Sequence, residues 1–381
     1  MRTPRIAVAG AGPGGLTLAR VLQTHGLPVT VFEIETAPGA REQGGTLDMH
    51  AGVGQLALAK AGLLDRFRVL SRPEGQEQRT LDESAALLRH RLPAPGEETK
   101  PEIDRGVLRE LLIESLAPGT VQWGRGVDAA TPLPDGTCRL SFRDGSAAEF
   151  DLVVGADGAW SRVRPAVSPG TPEYTGVTYV ETVFEDADAR HPAVAELVGD
   201  GGMAAYGRDR ALIAQRNGNG RIRVYAAFRG PRDWDVRAGV DLGDGAATRA
   251  YLLGLFDGWD ERLRDLLRGN DGPFVNRPLF ALPVPHRWEH VPGVTLLGDA
   301  AHLMPPLGVG ANLAMLEGAE LAEAVAAGPD LDAAVRAYER VMLPRAERAA
   351  RFCADGLAML ISPDGVEGAL RLYERLAEAR R

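Results

Sequence analysis

Arg5-Ile6-Ala7-Val8-Ala9-Gly10-Ala11-Gly12-Pro13-Gly14-Gly15-Leu16-Thr17-Leu18-Ala19-Arg20-Val21-Leu22 is the stretch on which the fold turns. It opens with a short apolar run suited to a buried parallel strand and closes with the apolar spacing of a helix start. The glycines between them have separate tasks. Gly10 permits a sharp turn, Gly12 lets a pyrophosphate approach the backbone, and Gly15 lets the helix lie close against the sheet. With Pro13 and Gly14 they form a loop that leads into a helix N-terminus, whose free N–H groups and positive dipole end favour a phosphate by about 0.3–1 kcal/mol per charge. A glycine-rich loop of this spacing also occurs without any nucleotide. The continuation argues against that, because Pro28-Val29-Thr30-Val31-Phe32-Glu33 is a second strand ending on an acid. Glu33 falls where a carboxylate holds an adenosine 2′-OH and repels a 2′-phosphate.

A fingerprint of this kind does not separate FAD from NAD, and two later stretches bear on that choice. In Asp151-Leu152-Val153-Val154-Gly155-Ala156-Asp157-Gly158-Ala159-Trp160-Ser161-Arg162-Val163-Arg164, a buried strand runs into a tight turn carrying Asp157 and Gly158. The turn reads either as an ordinary Asp-Gly turn or as part of a second dinucleotide contact. Val294-Thr295-Leu296-Leu297-Gly298-Asp299-Ala300-Ala301-His302-Leu303-Met304-Pro305-Pro306 is the more specific of the two. It continues through Leu307-Gly308-Val309-Gly310-Ala311-Asn312 into an amphipathic helix, Leu313 to Leu321. The N-terminal amides of that helix suit a group on which negative charge accumulates.

The three motifs, in this order on one chain, resemble those of the class A single-component FAD-dependent monooxygenases, the aromatic hydroxylase superfamily. Within it the resemblance is nearest to the tetracycline-inactivating monooxygenases, and it covers nearly the whole chain. Gly44-Gly45-Thr46-Leu47-Asp48-Met49-His50 and Pro101-Glu102-Ile103-Asp104-Arg105-Gly106-Val107-Leu108-Arg109 are similar to two further stretches of that subgroup, as is Asp257-Gly258-Trp259-Asp260-Glu261-Arg262-Leu263. The loop before the last helix is one residue shorter than is usual there, with Val309 where Gln is frequent. The resemblance implies that Asp299 binds the flavin ribityl chain and that Asp157 and Gly158 lie near the flavin pyrophosphate. It adds Gly45, Asp48, Pro306, Gly308, Gly310, Ala311 and Asn312 to the cofactor set begun by Gly10, Gly12, Pro13, Gly14, Gly15 and Glu33. Asp104 reads independently as an N-cap, with Val107, Leu108, Leu111 and Leu112 continuing at helical spacing. Arg105 then projects from the first turn, either to hold cofactor oxygens or as a solvated surface residue. Arg109 stays undecided between the same readings, and Arg41 is a further candidate for reaching the flavin. His302 reads as a catalytic group or as a packing and hydrogen-bonding residue.

The implied reaction is hydroxylation of a polycyclic, phenolic or enolic small molecule. NADPH or NADH reduces bound FAD, and oxygen is transferred through a flavin C4a-hydroperoxide, in natural-product tailoring or antibiotic inactivation. No protein group is assigned as catalytic base, since a phenol or enol is activated by its own ionisation. Met304, Pro305 and Leu307 are substrate-pocket candidates or plain core residues. A reductase or dehydrogenase of the same fold and a flavin-bearing sequestration protein are the alternatives.

Composition agrees with this class. The chain of 381 residues can bury a large core, and its net charge of -9 argues against nucleic acid as a partner. Cys138 and Cys353 are too few for a disulfide framework, which suits a cytoplasmic location. No apolar run is long enough to span a bilayer, the first strand leaves no room for a signal peptide, and no Cys or His stands at metal-ligand spacing. The expected fold is α/β: a Rossmann-like FAD-binding domain (1–70, 100–170 and 280–330), an antiparallel-sheet substrate domain (71–99 and 171–279), and C-terminal helices (331–381). Those helices are expected to break near Pro344 and at Ser362-Pro363. Asn217-Gly218-Asn219-Gly220 reads as a hairpin turn between strands in the substrate domain.

Overall fold

The opening apolar run becomes strand β1 (Ile6–Ala9), buried at all four residues. In the computed structural model, which describes residues 3–328 and 330–378, β1 lies at the centre of a five-stranded parallel sheet. Its partners are β2 (Val29–Phe32), β3 (Val121–Gln122), β4 (Leu152–Gly155) and β5 (Val294–Leu296), in the order β5-β4-β1-β2-β3. Every pairing in it is parallel. Parallel strands are covered on both faces, which is why β1, β4 and β5 read as unbroken apolar runs instead of alternating. The chain leaves β1 through helix α1 (Pro13–Thr24) to β2 on one side, while β4 pairs on the other. The strand order therefore reverses between β1 and β4, the place where open α/β sheets bind ligands beyond the carboxyl ends of their strands.

Two compact units emerge from the packing. The first takes residues up to Ser71, Arg105–Glu173 and Phe280–Cys353; the second takes Arg72–Asp104, Tyr174–Leu279 and residues from Ala354 on. Besides the parallel sheet, the first unit holds an antiparallel sheet of Val127–Pro132, Cys138–Phe142 and Ala147–Phe150. It also contains helices α2 (Arg105–Glu114) and α3 (Gly310–Ala326).

A seven-stranded sheet builds the second unit, in the order Val275–Ala281, Glu173–Phe184, Ile222–Arg229, Arg210–Arg216, Gly202–Gly207, Gln78–Asp82, Leu87–Arg91. The expected hairpin is present: Arg210–Arg216 pairs antiparallel with Ile222–Arg229. Asn219 and Gly220 take the positive φ of the turn, at 58° and 68°. One pairing is parallel, Gly202–Gly207 against Gln78–Asp82, so the sheet is mixed rather than wholly antiparallel. One face carries the core, with Val180, Phe184, Leu212, Val224, Ala226 and Phe228 packed against Trp234, Phe256 and Leu263.

Helix α4 (Leu331–Leu360) gives its larger part to the first unit and its end to the second, and one expectation about it is corrected. Pro344 does not break it. Val335, Tyr338, Met342, Ala346, Ala350, Cys353 and Leu357 form one buried stripe at helical spacing through that point, and burial of the stripe outweighs the hydrogen bond that proline removes. The next helix, Val366–Glu378, does start after Ser362-Pro363; residues 379–381 lie outside the described residues. Asp104 directly precedes α2. Its carboxylate accepts from the Gly218 N–H at 3.0 Å and pairs with Arg72 at 2.8 Å, a longer-range partner that local spacing cannot anticipate.

Candidate functional site

The three motifs follow β1, β4 and β5 directly, so the carboxyl ends of three neighbouring parallel strands gather residues far apart in sequence. Gly10 has φ +101°, and a Cβ there would meet the Ala156 carbonyl oxygen at 2.4 Å, so the first and second motifs touch backbone to backbone. A Cβ at Gly15 would meet the Gly10 carbonyl at 2.4 Å and Val8 at 3.1 Å, which is the close approach of α1 to the sheet. Gly12 differs: its nearest neighbour would be 4.0 Å away. It is also the N-cap of α1 and has no side chain to cap the helix, leaving first-turn N–H groups for a ligand. Tight packing at Gly10 and Gly15 with open space at Gly12 is the pattern a pyrophosphate requires.

Glu33, just past β2, is buried and accepts from the N–H of Ala11 at 2.7 Å and of Glu35 at 3.0 Å. It braces the glycine loop through the Ala11 N–H. Arg109, left undecided from sequence, is also structural. Buried on α2, it donates to the Ala11 carbonyl at 3.0 Å, the Pro38 carbonyl at 3.0 Å and Glu35 at 2.8 Å. Its place on the buried stripe with Leu108, Leu111 and Leu112 was the available signal. Arg41 is exposed and lies 2.9 Å from Glu35. Burial raises the Glu35 carboxyl pKa, but Arg41 and Arg109 more than reverse this and leave it below the usual range. Arg41 is thus engaged with Glu35 and is not brought to the glycine loop's open side.

At the second motif, Gly158 takes φ +79°. Asp157 turns one oxygen back to the Arg162 N–H at 2.7 Å, while its other oxygen is buried without a hydrogen-bond partner among the described residues. Burial raises its pKa. Arg164 was not singled out from sequence, yet it ties two motifs together. Its buried guanidinium donates to the carbonyls of Ala159 at 2.8 Å, Asp299 at 3.1 Å and Ala300 at 2.7 Å. Only the fold reveals that role, since no local pattern marks an arginine whose partners are distant carbonyls.

Asp299 starts a single helical turn, Asp299–His302. Its side chain is exposed, yet enough protein surrounds it that desolvation raises its pKa, against the pull of His302, Arg105 and Arg164. A group that is both open and desolvated lines a recess. Its carboxylate makes no hydrogen bond within the protein among the described residues, so a hydroxyl-bearing ligand has two free acceptor oxygens. Arg105, exposed at the start of α2, places its charge toward Asp299, and its N–H donates to the Gly45 carbonyl at 3.0 Å.

The loop after the third motif is held by Asn312, whose amide donates to the carbonyls of Asp48 at 2.7 Å and Gly308 at 3.0 Å. Its oxygen accepts from the His50 N–H at 2.8 Å. The Asn312 side chain is therefore committed to the protein, which leaves backbone N–H groups to meet a cofactor. Gly308 has φ +80° and lies beside the Asp48 carboxylate, with Pro306 exposed. Val309, Gly310 and Ala311 enter α3 with no side-chain cap, so its first-turn amides are free. Of the pocket candidates, Met304 and Pro305 are buried, and Met304 packs with Leu313, Ala350 and Cys353 while Leu307 leans on the same cluster. They serve as core under the loop. His302 is likewise buried, paired with Glu317 at 2.8 Å.

Two uncapped helix ends, the opening over Gly12 and the recessed carboxylate of Asp299 supply the donors and the acceptor that FAD would need. Fold and site together define a flavoprotein of the dinucleotide-binding class. Comparison with known proteins gives the family. Residues 3–233 match the FAD binding domain family. The monooxygenase asqM of Emericella nidulans is 31% identical over 99% of this chain and 92% of that protein. The 3-amino-4-hydroxybenzoate 2-monooxygenase PtnB3 of Streptomyces platensis is 31% identical over 97% and 91%. Among solved structures, Klebsiella pneumoniae HpxO complexed with FAD and uric acid shares the fold at a TM-score of 0.81, with 24% identity over 98% of this chain and 93% of that one. The chain belongs to the FAD-binding family of class A FAD-dependent monooxygenases. No helix among the described residues is long and apolar enough to cross a membrane.

Proposed function

We propose that the chain hydroxylates a planar phenolic or enolic molecule, taking electrons from NADPH or NADH and one oxygen atom from O2, in natural-product tailoring or antibiotic inactivation. The carrying observation for this substrate class is the second face of the seven-stranded sheet. Strand Glu173–Phe184 turns Val180 and Phe184 into the core, and by alternation Tyr179 and Glu181 onto the opposite face. Tyr225 stands directly across from Glu181, and the Tyr179 and Tyr225 rings lie 5.8 Å apart. Glu181 is buried between the guanidinium groups of Arg223 and Arg277, the latter at 3.1 Å. Guanidinium groups beside aromatic rings favour a flat molecule with an ionised oxygen. An ionised ring oxygen also enriches the neighbouring carbon in electrons, as electrophilic oxygen transfer demands. The PtnB3 relative is named for a hydroxybenzoate, which agrees.

Bound FAD supplies the electron transfer and the activation of oxygen. The remaining tasks fall to the chain: Asp299 to hold the ribityl hydroxyls, the α3 amides to stabilise negative charge at the pyrimidine edge, and Gly12 with α1 to seat the pyrophosphate. The test is NADPH or NADH oxidation by the FAD-loaded protein across a panel of phenolic and enolic compounds under isotopically labelled O2, with mass analysis of products. Gain of one labelled oxygen supports the proposal. Substrate reduction that proceeds without oxygen indicates a reductase, and flavin binding with no substrate-dependent turnover indicates sequestration; either result overturns it.

A further inference from the structure

The site leaves the buried pair of His302 and Glu317 without a task. His302 and Glu317 are 3% and 0% exposed, and His302 Nε2 lies 2.8 Å from both Glu317 oxygens. Glu317 also accepts the Gly298 N–H at 2.9 Å. A buried ion pair is costly to desolvate and is weak evidence for stability, so its presence asks for a further reason. The geometry supplies one. A single carboxylate on α3 holds both ends of the turn Gly298–His302, by the amide at its start and the ring at its end. Asp299 projects from between these two anchors. Gly298 has φ +58°, and a Cβ there would meet the Ala314 side chain at 2.9 Å, so the turn has little freedom to relax toward α3.

We propose that His302 and Glu317 are a positioning pair that aims Asp299 at the flavin ribityl chain and makes FAD retention weaken on the alkaline side. This rests on the reading of Asp299 as the ribityl ligand.

Glu317 faces the pair from α3, Asp299 from its own turn, Arg105 from α2, Arg164 from the segment after β4, His286 from the segment before β5, and Arg345 and Tyr338 from α4, the Tyr338 hydroxyl being kept neutral mainly by burial. Burial alone lowers the His302 pKa, but Glu317 and Asp299 reverse this and raise it above the ordinary value. His286 is shifted the other way, mainly by burial, and is neutral in the same range, while the arginines stay charged. His302 is therefore the titrating group proposed. Its stabilising contribution is complete below the unfolded histidine pKa, about 6.5, and is lost as pH rises through the raised folded value. Above that value Glu317 and Asp299 remain as two anions without their imidazolium. Bound FAD further encloses Asp299 and strengthens its need for the cation. Each pKa unit by which binding raises His302 changes the FAD Kd by roughly tenfold.

The test is the FAD Kd of apoprotein from about pH 6 to about pH 9.5, followed by flavin fluorescence, with histidine ring titration of the wild-type apoprotein by NMR. Wild type is expected to show a one-proton loss of affinity at alkaline pH, and one histidine is expected to titrate above the ordinary value. His302→Gln, which keeps a donor but cannot titrate, is expected to bind FAD more weakly at neutral pH and with a flat profile. Glu317→Gln is expected to move the step to lower pH. Parallel pH profiles for wild type and His302→Gln, or no histidine with a raised pKa, overturn the proposal. Unchanged FAD affinity in Asp299→Ala sinks the underlying ribityl reading instead. The NMR titration stands without FAD or any variant, so poor folding of a variant leaves the proposal open to refutation.

Discussion

Glu33 and Asp299 are acids placed at opposite ends of the flavin reading, and their surroundings predict opposite behaviour on replacement. Glu33 satisfies two backbone N–H groups from a buried position, that of Ala11 in the glycine loop and that of Glu35. Glu33→Ala leaves those donors without their partner, so it is expected to lower apoprotein stability by about 1–3 kcal/mol and to weaken FAD binding as well. Asp299 has no such internal duty, and its raised pKa means that the folded state disfavours its charge. That cost appears as pH rises above the unfolded carboxyl value and grows toward the folded one. Asp299→Ala is thus expected to retain or gain apoprotein stability at neutral pH while losing FAD affinity. Thermal unfolding of apoprotein beside an FAD titration separates the two cases. A stability loss in Asp299→Ala as large as that of Glu33→Ala would count against the recessed, unbonded carboxylate. At this scale the motif acids and glycines were legible in the sequence, whereas Arg109 and Arg164 were not. Their partners are carbonyls brought close only by folding.

Among elements, the contact between α1 and α3 carries the candidate site, since both helix starts are proposed to face the cofactor. Gly14 and Gly318 let these helices approach: a Cβ at Gly318 would meet the Gly14 carbonyl oxygen at 2.4 Å and the Leu18 nitrogen at 3.0 Å. Gly318→Ala should force the helices apart and destabilise the fold by about 1–3 kcal/mol, with weaker FAD retention. Denaturant unfolding of the apoprotein measures the first effect and equilibrium dialysis the second. Unchanged stability would mean that the two helices separate without cost. Elements with strong local signals were readable in advance, among them β1, α1, β2 and the Asn217–Gly220 hairpin. Helix α4 was not, because proline's local preference for breaking a helix lost to a buried stripe running on both sides of it.

Across the whole molecule, the candidate cofactor residues lie in the first unit, and FAD binding should protect them selectively. Hydrogen exchange is expected to slow at residues 10–16, 105–109, 157–164 and 298–312 on FAD addition, with smaller changes in the Arg210–Arg216 and Ile222–Arg229 hairpin core. Free ligand at a hundredfold excess over Kd stabilises by about 2.7 kcal/mol, so the unfolding temperature should climb with FAD concentration. Uniform protection in both units, or a temperature independent of FAD, would argue against this distribution. By itself the sequence determined what short spacing controls: the strand, turn and helix around the glycine loop, the apolar strands before each motif, and the acids that close them. Those follow from backbone sterics and periodic burial within a dozen or so residues. Only the tertiary structure decided which of these meet. The order β5-β4-β1 brings three distant turns to the carboxyl ends of neighbouring strands, gives Arg109 and Arg164 their carbonyls, and leaves Asp299 desolvated yet open. Burial and long-range hydrogen bonding belong to the assembled sheet and helices, so no local pattern can specify them.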